Sequence, residues 1–151
     1  MDGTATAILR MQFESVVRMV WLHFSAPNSF IESYAGSIFV DNPPKEFPSV
    51  AEMIAKIKKC GVKGPGETLE EFKDIAWKGM NNHIHNGYLA LSRHVNSYPE
   101  KLVIQIIRNS NALNLMAAMV LARIKQSKDD VNFVKNLQLS YQDIMPELRF
   151  N

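Results

Sequence analysis

The chain is predicted to be all-α, a bundle of about five to six helices forming one domain over residues 1–151. Three observations predict it. Long blocks of helix-forming residues run without Gly or Pro, clusters of Pro and Gly separate those blocks, and no stretch alternates like a strand or places a hairpin turn between β-branched runs.

Each element has its own signals. Residues 4–24 hold neither Gly nor Pro and stop at "SAPNS", where Pro27 forbids continuation. A short helix follows around 29–37, and the three prolines of "VDNPPKEFPS" mark a loop. Ser49 and Glu52 in "SVAE" form a capping box, after which Val50, Met53, Ile54 and Ile57 recur at helical spacing until "CGVKGPG". Thr68 with Glu71 reads as a second capping box, opening a helix to about Asn86, with Asn86-Gly87 as its stop. Ser97, Pro99 and Glu100 open a fifth helix to about Lys125. That helix is apolar nearly all round and is expected to be central. "SKDD" opens the last helix, which Pro146 frays or kinks.

Composition narrows the class. At 151 residues, with 46% hydrophobic and 21% charged residues, the chain suits one soluble globular domain burying about two-thirds of its unfolded surface. A net charge of +2 does not by itself argue for nucleic acid. The single cysteine, Cys60, excludes an internal disulfide framework and fits a reducing compartment. No N-terminal stretch reads as a signal peptide. The longest apolar run, "LNLMAAMVLA", is about half the length a bilayer-spanning helix needs. The expectation is a cytoplasmic protein with no membrane partner.

The stretch "KGMNNHIHNGY", residues 78–88, concentrates polar side chains just before a glycine. At ~100° per residue, Asp74, Lys78, Asn81 and His85 share one helix face, while Phe72, Ala76, Gly79 and His83 lie on the opposite one. Two histidines two residues apart point in nearly opposite directions, whereas a helical zinc pair needs i and i+4. The expectation is therefore no metal and no cofactor. His83 reads as a packing-face histidine with a polar neighbour. His85 reads either as a cation favoured by the helix C-terminus or as a proton-transfer group beside Asn81.

In the first helix, Arg10, Glu14 and Arg18 at i, i+4 and i+8 make one polar stripe. Phe13, Val17, Val20, Trp21 and Phe24 flank it on one side, and Ile8, Met11 and Leu22 on the other. The plain reading is a salt-bridge ladder. The functional reading is a preorganised cationic site that holds a phosphate. Lys56, Lys58, Lys59 and Lys63 read as a solvated, basic helix end. Eight methionines and eight phenylalanines could line a small-molecule pocket, although at helical spacing they more often form core.

"ILRMQFESVVRMVWLHFSA", "WKGMNNHIHNGYLALSR" and "NALNLMAAMVLA" together resemble a group of bacterial helical proteins in which an Arg-x-x-Phe-Glu helix precedes an Asn-x-x-x-His-x-Gly segment. That group is similar to abortive-infection proteins and to the HEPN superfamily (higher eukaryotes and prokaryotes nucleotide-binding). The resemblance covers most of residues 7–124. It implies a HEPN-like antiparallel bundle, often a homodimer, in toxin–antitoxin or phage-defence systems, and for active members a metal-independent endoribonuclease. The signature it implies is Arg, a polar residue, three variable residues and His. Asn81 and His85 match it, and Met80 stands where arginine is expected. Arg10 or Arg18 would then replace that guanidinium in space. The catalytic candidates are His85, Asn81, Arg10 and Glu14, with Arg18, Lys78 and Asn82 as substrate-binding candidates. RNA and a cognate antitoxin or defence protein are the implied partners. The competing expectation is a non-enzymatic helical dimer, a protein- or nucleotide-binding module acting as antitoxin or sensor subunit.

Overall fold

A computed structural model describes residues 2–37, 46–84 and 99–146. Within them the chain forms six α-helices: α1 (Asp2–Phe24), α2 (Asn28–Ser37), α3 (Val50–Lys59), α4 (Pro65–Ile84), α5 (Glu100–Ile124) and α6 (Lys128–Ser140). A short 3₁₀ turn, Gln142–Ile144, follows. Among the described residues there is no strand, so the all-α class holds. No helix of the described residues is long and apolar enough to cross a membrane. The expected stop at Asn86-Gly87 and the cap at Ser97 lie outside the described residues, as do His85 and the side chains of Lys78, Asn81, Asn82 and His83.

Two helix starts follow the sequence reading. The Ser49 N–H donates to Glu52 Oε2 at 2.8 Å and the Glu52 N–H donates back to Ser49 Oγ at 3.3 Å, closing the capping box of α3. Ser127 caps α6 by accepting from the Asp130 N–H at 3.1 Å. The start of α4 differs. Thr68 lies inside the helix, its hydroxyl donating back to the Gly64 carbonyl at 2.9 Å. The helix begins three residues earlier because Pro65 is preset for the first helical position and Gly64, at φ +105°, turns the chain into it. Glu67 supplies the reaching carboxylate, accepting from the Gly64 N–H at 2.9 Å. The proposed kink at Pro146 is also corrected. Helix α6 ends at Ser140, six residues before that proline.

The chain divides into two compact units, residues 17–71 and residues 1–16 with 72–151. In the first, Val17, Val20, Trp21, Phe30, Met53, Ile54, Ile57 and Leu69 are buried. Trp21 meets Phe30 edge-on at 4.9 Å and Phe47 at 6.0 Å, so the irregular stretch before α3 is held by aromatic contact. Gly66 is buried against α3, with only backbone-sized clearance to Lys58. Lys58 forms an ion pair with Glu70 across the same α3–α4 contact.

In the second unit Leu9, Phe13, Val16, Met80, Leu113, Val120, Ala122 and Val134 are buried. The ring of Phe13 stacks on Phe72 at 4.7 Å, bringing α1 beside α4. On a different side of α1, Gln12 donates to the Ser110 carbonyl (3.0 Å) and to Asn114 Oδ1 (2.7 Å) and accepts from the Ser110 hydroxyl (2.9 Å). Helices α5 and α6 form a hairpin closed by a Schellman motif. The Ser127 N–H reaches the Ala122 carbonyl and the Gln126 N–H the Arg123 carbonyl, with Gln126 at φ 54°. Helix α5, expected to be central, leaves Ile104, Ile107, Leu121 and Ile124 each 42–54% exposed.

Candidate functional site

The site begins with helix period. Arg10 and Glu14 stand one turn apart on α1, and Arg10 Nε donates to Glu14 Oε1 at 2.8 Å. Their side chains are 20% and 22% exposed, so this is not a solvated surface pair. On α4 the same period places Trp77 one turn beyond Lys73, and Phe72 at the level where Phe13 stacks. Phe13 also meets Trp77 edge-on at 6.0 Å. These ring contacts bring the guanidinium carbon of Arg10 to 4.8 Å above the Trp77 ring.

Arg10 is therefore fixed twice, by a carboxylate in the guanidinium plane and by an indole beneath it. A cation over an indole is worth ~0.5–2 kcal/mol, more as water is excluded. Arg10 Nη1 is buried and has no hydrogen-bond acceptor among the described residues. The guanidinium is thus a charge held in place before any ligand arrives, the property that electrostatic stabilisation of an anion requires. Asn81 follows Trp77 by four residues, one turn further along α4.

Arg18 belongs to the other unit, where its guanidinium lies 5.3 Å from the centre of the Phe47 ring. Asp74 is exposed and lies 3.5 Å from Lys73. Met80 is 2% exposed and belongs to the core. A guanidinium in its place would be buried and would need its own charge partner. The lysines of α3 and the following turn are partly occupied. Lys58 pairs with Glu70, and the Lys56 ammonium lies 5.8 Å from the centre of the Trp21 ring. Met53, Met80, Phe13 and Phe30 are all buried, in the manner of core rather than of a pocket lining. Among the described residues, no three His, Cys, Asp or Glu side chains converge.

Sequence reasoning missed Trp77. Its signal was present, an indole four residues before Asn81, but nothing local tells which cation it will meet. It also missed the Gln12–Ser110–Asn114 network, whose partners are 98 and 102 residues apart.

Comparison with known proteins places the chain in a family. It belongs to a family of unknown function (DUF6988), whose profile matches residues 1–147. No curated protein and no solved structure matches it.

Proposed function

We propose that this member of the family is a HEPN-like antiparallel bundle acting as a metal-independent endoribonuclease, a toxin or phage-defence effector in the cytoplasm. His85 and Asn81 on the α4 side would work with Arg10 from α1. One observation supports this reading above the others: the Arg10 guanidinium stands over Trp77, one turn before Asn81. A cation is thus supplied beside α4 although Met80 occupies the signature's arginine position.

The chemistry is general acid–base catalysis. His85 takes the proton of an RNA 2′-hydroxyl as that oxygen attacks the adjacent phosphorus, work to which an imidazole is suited. The P–O5′ bond breaks, the imidazolium so formed returns its proton to the leaving oxygen, and the products are a 2′,3′-cyclic phosphate and a 5′-hydroxyl. Asn81 orients the phosphate, and Arg10 balances the charge that builds on its oxygens. Glu14 keeps Arg10 in place. Lys78 and Asn82 contact the flanking strand. A homodimer would bring two such sets into one cleft, and a cognate antitoxin would restrain it.

The test is expression in a bacterial host of the wild type, His85→Ala and Arg10→Gln. The expected result is growth arrest with fragmented RNA for the wild type alone. Equal growth of all three with intact RNA, or arrest that survives His85→Ala, would sink the enzyme reading.

A second reading has its own support. The buried Met80 and the exposed apolar residues of α5 favour a non-enzymatic dimer that binds a protein or nucleotide partner as antitoxin or sensor subunit. It predicts no RNA cleavage in the same experiment. It also predicts a particle mass of two chains by light scattering, lost when Ile104 and Ile107 are changed to serine.

A further inference from the structure

We draw no further inference here: the strongest candidate, the exposed apolar face that α5 carries at Ile104 and Ile107, is unpartnered, and nothing in the structure shows what covers it.

Discussion

Replacing Gly66 with alanine should destabilise the protein even though alanine is the better helix former. A Cβ built on Gly66 would stand 2.6 Å from Lys58 Cγ, 3.0 Å from Lys58 N and 3.1 Å from Lys58 Cα. The Cγ belongs to a flexible chain and can swing away, at the expense of the Lys58–Glu70 pair. The other two atoms are backbone of α3, so α3 and α4 must part by a few tenths of an ångström. Overpacking of this kind costs about 1–3 kcal/mol. Against it stands a gain of at most ~1 kcal/mol in helix propensity, reduced because Gly66 is only the second residue of α4. The net loss is about 1–2 kcal/mol, a fall in Tm of roughly 3–6 °C for a chain of this size. Gly36→Ala in α2 is the internal control. No atom lies within 4 Å of its added Cβ, so the propensity gain of some tenths of a kcal/mol should appear undiminished. Thermal unfolding followed by circular dichroism reads both. A Gly66→Ala protein as stable as the wild type, or more so, would refute the close backbone approach of α3 and α4.

Three further outcomes follow from the same structure. Glu14→Ala should lower stability by about 1–2 kcal/mol, because it leaves Arg10 largely buried beside Trp77 without its carboxylate; an unchanged Tm would show the pair to be solvated. Gln126→Gly should stabilise by about 0.5–1 kcal/mol in denaturant unfolding, since a side chain is held at φ 54° where glycine carries no Cβ penalty; a loss of stability would mean the Gln126 side chain contributes more than its backbone costs. Acid should weaken the fold through helix-start carboxylates. The Ser49 hydroxyl and then its backbone N–H hold Glu52 below the ordinary range, and the N–H groups of Glu67 itself and Gly64 do the same for Glu67. A folded pKa below the unfolded value means that stability is fully present above the unfolded value, about 4.3, and is lost as pH falls through the folded one. Glu52→Gln should therefore flatten part of the decline in Tm between pH 5 and 3, and an identical slope in both proteins would contradict the capping box.

What could be read from the sequence divides along the range of the interaction. Pro27 and Ser127 act on their immediate neighbours, so the end of α1 and the start of α6 could be placed from them. The Ser49–Glu52 box is equally local. Competition between local signals produced the error at α4, where Thr68–Glu71 fits the capping pattern as well as Gly64–Glu67 does. The choice depends on Pro65 and on a positive φ at Gly64, which no spacing rule reveals. Arg10 and Glu14 were found because four residues on a helix is a contact distance. Periodicity also places Arg18 on that face, but its contact with the Phe47 ring is one that no spacing reveals. The exposure of Ile104 and Ile107 on the apolar α5 was not legible either, because an apolar residue lowers the cost of burial without ensuring that a neighbour exists to bury it. His85, on which the proposed chemistry turns, lies outside the described residues.

Gln12 obtains its hydrogen bonds from Ser110 and Asn114, near the opposite end of the chain. A ribosome adding roughly 5–20 residues each second therefore makes α1 several seconds before the carboxamide of Gln12 can find its acceptors. Through that interval the first half of α1 lacks these anchors, while its second half belongs to residues 17–71, a contiguous stretch with its own aromatic cluster. The order of birth and the order of completion thus run against each other in this molecule, and the opening turns of its earliest helix are among the last parts to be secured.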